Sequence, residues 1–238
     1  MPNLLKRRIT FGGELVPALI ASSPVIKRAT RKITVVQVAG TNREIIDMED
    51  AFESYDQPYT LFVGDGTEDS IQEALVSVAE TLYKTGYQEL IDDYIPDYFR
   101  LAYFQGPFDI ENRKTRVGKF DVNFRCRPEY FLNSGKYPVE VATGAVLTNP
   151  TKYMAKPLIH ITGSGSGTLT IGNITMSFTG IVDYLNIDCE QQDVYRLPTE
   201  NKNSLMTGDF PVLYAGNNTV TFTGGISTVT ITPRYYTI

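Results

Sequence analysis

Only one stretch of this chain, Glu68 to Lys84, repeats its apolar residues at the spacing of a helical face, and that scarcity sets the fold class. There Ile71, Ala74, Leu75, Val78, Ala79 and Leu82 recur at i, i+3, i+4 and i+7, while Gln72, Glu73, Ser77, Glu80 and Thr81 fill the opposite face. Asp69 or Ser70 is placed to cap the start and Gly86 to end the helix. Elsewhere the period is two. Gly118 to Arg127 alternates cleanly, with Phe120, Val122, Phe124 and Cys126 on one side and Lys119, Asp121, Asn123, Arg125 and Arg127 on the other, and Pro128 is expected to stop the ladder. Ile33–Val38, Tyr59–Val63 and Tyr98–Phe104 are rich in β-branched and aromatic residues and read as further strands. The expectation is a mainly β protein, a β-rich α+β fold with one helix packed on strands.

At 238 residues the chain is long enough for two domains that each bury a core. From Asn133 to Met154 it becomes richer in Gly, Pro, Thr and Asn, which places a boundary near residue 145. The N-terminal domain is then 1–145 and the C-terminal domain 146–238. The second reads as all β: Leu169–Ile171 and Ile174–Phe178 form a hairpin around Gly172-Asn173, with glycine supplying the positive φ of a primed turn. Tyr184–Cys189, Pro211–Tyr214, Thr219–Thr223 and Thr228–Thr232 supply short strands at the spacing of a β-sandwich.

Hydrophobic residues at 42% and charged residues at 21% exclude general disorder. No apolar run approaches the roughly 18 residues of a membrane helix, and Met1 to Arg8 has no apolar signal core, so membrane insertion and signal-directed export are not expected. Cys126 and Cys189 lie far apart, without metal-ligand spacing, and read as two buried thiols. A net charge of −5 argues against a surface built to neutralise nucleic-acid phosphates. The charge is segregated, with Lys6, Arg7, Arg8, Lys27, Arg28, Arg31 and Lys32 early and an acidic excess between Glu44 and Asp97. Two readings stand: solvated faces of one fold, or a head-to-tail contact in which Arg28, Arg31 and Lys32 of one copy meet Glu49 and Glu53 of the next.

The motifs that suggest chemistry fail on their own terms. Gly163-Ser-Gly-Ser-Gly167 resembles a phosphate loop, but the Lys-Ser/Thr pair and the helix are missing and a strand follows, so a hairpin turn is expected. Asp65-Gly-Thr-Glu-Asp69 lacks EF-hand spacing and reads as an acidic helix start. His160 is the sole histidine and has no nucleophile turn beside it. The adjacent carboxylates Asp92-Asp93 and Glu49-Asp50 read as solvated charge, since neighbours on one element rarely flank a substrate bond. No catalytic, cofactor or metal site is expected. A lectin-like sandwich that stacks sugars on Tyr195 or Tyr214 is the alternative, weakened by the absence of Trp.

The order and spacing of these segments resemble the distal tail protein family of siphophages that infect Gram-positive bacteria. The similarity rests on Phe11-Gly12-Gly13, Arg31 to Gly40, Tyr98 to Gly106 and Gly118 to Pro128, then on Pro157 to Ile171, Tyr184 to Asp188 and Asp209 to Asn217. The Val38-Ala-Gly-Thr-Asn42 turn departs from the Arg-Asp-Gly form common there. The resemblance implies a galectin-like C-terminal sandwich and a hexameric ring of N-terminal domains around the DNA channel. It implies the tail-tube protein on one face, the tail-tip hub on the other, and receptor-binding or baseplate proteins outside. The implied place is the virion tail tip, after assembly in the host bacterial cytoplasm, and the implied role is structural, without catalysis or cofactors.

Overall fold

The computed structural model describes residues 8–64, 68–108, 110–111 and 118–238, except the side chains of 50, 68–72, 110 and 111. The chain divides into two units, residues up to Tyr130 with Ile238 in one and Phe131–Thr237 in the other. Residues 131–145 fold with the second unit.

The first unit comprises β1 (Ile9–Phe11), β2 (Glu14–Leu15), β3 (Leu19–Ile20), β4 (Arg31–Gln37), β5 (Glu44–Phe52), β6 (Tyr55–Val63), α1 (Glu68–Leu82), β7 (Gln88–Asp92), β8 (Tyr98–Phe104), β9 (Ile110–Glu111) and β10 (Gly118–Leu132), whose last two residues enter the second unit. Its main sheet runs β2-β1-β7-β8-β10-β6-β3. A flat sheet would hold its two edge strands about 29 Å apart at roughly 4.8 Å per strand. Only Val16–Ala18 separate β2 from β3, a link that spans at most about 14 Å. The sheet is therefore curled into a barrel, with Phe11, Leu61, Leu90, Phe104, Val122 and Phe124 inside it. The helix lies where its periodicity places it and contributes Leu75, Val78 and Leu82 to the core; the side chains of its proposed caps, Asp69 and Ser70, lie outside the described residues.

One charged cluster crosses the barrel interior. Arg100, fully buried, donates to Asp92, also buried, and to the Tyr59 hydroxyl, which in turn donates to Asp92 at 2.6 Å. The backbone N–H groups of Tyr94 and Ile95 complete the carboxylate's partners, and the guanidinium lies 5.7 Å from the Tyr130 ring. The ladder between β10 and β6 ends at Cys126 opposite Tyr55, one pair short of where Pro128 was expected to act, while the strand itself continues past Pro128 to Leu132.

The second unit is one seven-stranded sheet: β11 (Val139–Val141), β12 (Ala145–Asn149), β13 (Leu158–Ile171), β14 (Ile174–Asp188), β15 (Asp193–Tyr195), β16 (Met206–Thr207), β17 (Gly216–Thr232) and β18 (Tyr236–Thr237), the last lying outside that sheet. The hairpin at Gly172-Asn173 is present, with Ile171 paired to Ile174 and Gly172 at φ +60°. The glycine-rich motif is a different object from the expected turn. Gly163 to Gly167 lie in the middle of β13, where the register shifts against both β14 and β17. On one side of this level Ile159, Ile161, Leu185, Ile187, Val229 and Ile231 are buried; on the other, Leu169, Ile171, Met176, Phe178 and Val220; and all belong to one core. The three long strands are thus creased at one level, and the sheet folds over itself as a sandwich.

Glycine is required at the crease because backbone passes through the space a side chain would take. A Cβ on Gly163 would stand 1.9 Å from the Gly225 carbonyl oxygen, and one on Gly225 would stand 1.9 Å from that of Ser164. The crease also explains why the separate strands expected at Thr219–Thr223 and Thr228–Thr232 are one strand, and why Tyr184–Cys189 continues the hairpin strand from Ile174, which runs to Asp188. The strand expected at Pro211–Tyr214 is a single bridge between Ala155 and Leu213.

At the far end of β14, Arg234 grips Asp188 with two bonds of 2.8 and 3.0 Å, and the N–H groups of Glu190 and Gln191 donate to the same carboxylate. Burial pushes the Asp188 carboxyl up, but these donors outweigh it and hold it below the usual carboxylate range. A depressed carboxyl contributes stability above its unfolded value near pH 3.9 and loses it as pH falls through the lower folded value.

Two outcomes follow from this packing. Gly225→Ala is expected to destabilise the protein by about 1–3 kcal/mol or more in denaturant titration, through overpacking against backbone. Asp188→Asn is expected to cost about 1–3 kcal/mol at pH 7 through loss of charged hydrogen bonds. Its deficit against the native protein should shrink as the titrations are repeated below about pH 4.

Candidate assembly surface

The residues that suggest catalysis are accounted for by local structure. His160 shares a hydrogen bond with Asn186 through Nδ1 at 2.8 Å and lies 5.3 Å from the Tyr184 ring; the Asn186 amide donates to the Arg196 carbonyl oxygen. Asp92 is consumed by Arg100, and its neighbour Asp93 accepts the Arg8 backbone N–H at 3.0 Å, so the two carboxylates serve different partners. Glu49 is exposed on β5, and the side chain of Asp50 lies outside the described residues, as do Asp65 to Thr67. Gly163 and Gly167 pack closely on Gly225, Ile226 and Thr223 of β17, and the segment lies inside strand β13 rather than at a helix start. Among the described residues no three His, Cys, Asp or Glu side chains gather as metal ligands, and no helix is long and apolar enough to cross a membrane.

The two tyrosines of the sugar-binding alternative stand on separate elements. Tyr195 is half-buried in β15 opposite Asn186, and Tyr214 is exposed beside the Leu213 bridge. Both cysteines are buried and free; burial pushes the Cys126 thiol up to about 11 and the Cys189 thiol up to about 12.

What the structure leaves uncovered is the ribbon β4–β5. These strands pair only with each other and sit outside the barrel sheet. Opposite residues share a face, so Ile33 with Met48 and Val35 with Ile46 form one apolar face, bounded by Gln37 and Glu44. Val36 and Ile45 stand on the other face beside Thr34 and Asp47. Ile33, Val35, Val36, Ile45, Ile46 and Met48 are each 50–59% exposed. The turn is held by the Thr41 hydroxyl donating to the Val38 carbonyl oxygen, with Gly40 at φ +76°.

The ribbon also carries the charged residues expected to meet between copies. Arg31 lies across from Phe52, with its guanidinium 5.1 Å from that ring, and the Glu53 N–H donates to the Thr30 carbonyl oxygen. Arg28 lies 4.2 Å over Tyr130. Basic Arg31 and Lys32 and acidic Glu49 and Glu53 therefore belong to one ribbon and its root within a single chain, with Lys32, Glu49 and Glu53 exposed. Reading the sequence strand by strand missed β5, because Asp47, Glu49 and Asp50 interrupt its apolar run. The signal that finds it is the match of Ile33 and Val35 with Ile46 and Met48 across a Gly-Thr-Asn turn.

Residues 26–126, which include this ribbon, match the family described as phage tail protein RIFT-related domain. The match covers 101 of the 238 residues and likens this segment to a phage tail domain. Among solved structures the chain is similar to the SPP1 Dit (gp 19.1) protein, described as a paradigm of the hub adsorption apparatus in phages infecting Gram-positive bacteria. That match has 14% identity and a TM-score of 0.74 and covers 97% of this chain and 99% of the other. A chain of the phage P2 baseplate in its activated conformation matches with 9% identity and a TM-score of 0.52, over 94% of this chain and 97% of the other. No curated protein matches by sequence. The family match over residues 26–126 and the whole-chain likeness in fold bear out the resemblance to siphophage distal tail proteins.

Because both native thiols are buried and shifted upward, thiol reagents at neutral pH are expected to leave the folded protein unmodified and to label two cysteines per chain after denaturation. Rapid labelling of the native protein would contradict this assignment.

Proposed function

We propose that this protein is the structural hub of a siphophage tail tip, and that it works as a closed ring, with six copies as the expected number, around the DNA channel. The phage tail domain and the likeness in fold to a hub protein and a baseplate chain support the reading. The observation that carries it is the uncovered β4–β5 ribbon. An isolated two-stranded ribbon is only marginally stable in water, and six large apolar side chains half exposed on it form a surface that calls for a covering partner.

In this reading the partners are further copies of the chain, the tail-tube protein on one face of the ring and the tail-tip hub on the other, with receptor-binding or baseplate proteins around it. The place of action is the virion tail tip, reached by assembly in the host cytoplasm. The role is mechanical: to join, orient and transmit. The acidic balance of the chain suits a channel that must not grip DNA. The His160 and Asp92 environments, satisfied by neighbouring side chains, fit a role without catalysis.

The test is a paired substitution on the apolar face of the ribbon, Val35→Asp with Ile46→Asp, followed by light scattering after gel filtration. Native protein is expected to elute as the assembled ring and the variant as a folded monomer with unchanged far-ultraviolet dichroism. A variant that assembles as the native protein does would remove the ribbon from the interface.

A further inference from the structure

The second unit covers its own core, yet it holds one apolar pair rigidly in solvent. Ala155 and Leu213, both fully buried, exchange backbone hydrogen bonds of 3.0 and 2.8 Å across an antiparallel bridge. Neighbours along an extended segment point the opposite way, so Met154 and Tyr214 turn outward, and the antiparallel sense sets them across from each other. They are 55% and 42% exposed.

Two buried asparagines fix the backbone around this pair. The Asn149 amide donates to the carbonyl oxygens of Tyr153 and Leu213, and its Oδ1 accepts from the Thr151 N–H and hydroxyl. The Asn218 amide donates to the carbonyl oxygens of Tyr214, Gly216 and Leu147, and its Oδ1 accepts the Tyr214 N–H. The Tyr153 ring stacks on Tyr236 at 5.4 Å. Met154 and Tyr214 are therefore presented on preformed loops, which lowers the ordering cost of binding.

The unspent positive charge of this unit gathers at the same place. Arg196 pairs with Asp183, Lys202 with Glu200 and Arg234 with Asp188, and the Lys136 ammonium lies 5.9 Å from the Tyr137 ring. Lys152 and Lys156 are exposed on either side of Met154 and form no ion pair among the described residues. Neither 149–157 nor 210–218 contains an Asp or Glu, although the chain carries a net charge of −5.

We propose that this patch docks an acidic segment of another protein, one that carries an apolar side chain among its carboxylates. Met and Tyr are residues enriched at the desolvated centres of interfaces, and here they supply the anchor. The two ammonium groups at the rim select the sign of the partner: a basic segment is repelled, and a neutral one leaves both lysines without carboxylates. The site lies within the second unit and goes beyond the ring reading, since it requires no particular number of copies.

The test is methyl NMR of the full chain labelled with carbon-13 at its methionine methyl groups, with the random copolymer poly(Glu,Tyr) as the probe. Met154 lies in the patch and Met176 is fully buried in the core of the same unit. The Met154 signal, assigned by its loss in Met154→Leu, is expected to shift saturably while that of Met176 stays in place. Lys152→Glu with Lys156→Glu, and separately Tyr214→Ser, are each expected to weaken binding read at that signal about tenfold, with the Met176 signal at its native position as the check on folding. A Met154 signal that does not move at saturating probe, or that responds equally in the charge-reversed variant, would overturn the proposal. An equal shift with inorganic polyphosphate would assign the patch to a phosphate polymer, and a shift with rising protein concentration alone would assign it to a second copy. Either result would overturn an acidic segment of another protein as the occupant.

Discussion

A two-stranded ribbon has two faces and no second layer of its own, and in this protein that constraint governs the rest. The β4–β5 ribbon carries Ile33, Val35, Ile46 and Met48 on one face and Val36 with Ile45 on the other, all about half exposed. Full burial of such side chains is worth roughly 1.5–3 kcal/mol each, so six of them half exposed forgo part of that stabilisation in a single copy. The segment leading into the ribbon is tied to the barrel, with the Gln57 side chain accepting from the Lys27 N–H and donating to the Val25 carbonyl oxygen and the Tyr130 hydroxyl donating to the Lys27 carbonyl oxygen. The barrel sheet closes through Val16–Ala18, and the Arg100, Asp92 and Tyr59 cluster ties β6, β7 and β8 together across the interior. Breaking a buried charge pair by removing one partner costs about 3–5 kcal/mol, so this cluster penalises loss of the barrel's strand register.

The second unit solves a different problem by a related device. Three strands of 14, 15 and 17 residues are too long for one compact layer, and the glycines at one level of them allow the sheet to double back. The two halves then supply each other's covering layer, and the core is complete within the unit. The second unit covers its own core, and the first presents six half-exposed apolar side chains on one ribbon. That contrast is the ground on which assembly through the first unit is proposed.

Much of this architecture is legible from residue patterns, and the failures have physical causes. Alternation in Gly118–Arg127 and the periodicity of Glu68–Lys84 locate β10 and α1 because each element buries one face and wets the other. Gly163–Gly167 misleads because glycine serves a turn and a crease equally well; only the close approach of Gly225, some sixty residues away, distinguishes them. Asp92 looks like solvated charge because its partner Arg100 lies on another strand, and pairing across strands leaves no local trace. The ribbon is the most instructive case. Its apolar residues read as an ordinary core strand at Ile33–Val38, and nothing local says that the strand meets no core in its own chain.

The central claim is that the ribbon is covered by another copy of the chain, and amide hydrogen exchange of residues 31–52 in dilute and in assembled protein tests it most directly. The account predicts fast exchange across Ile33–Gln37 and Glu44–Met48 in the dilute monomer and strong protection of the same amides in the assembled particle, with the Ile159 and Leu169 regions of the second unit equally protected in both. Ribbon amides that exchange as fast in the assembled particle as in the monomer would contradict it.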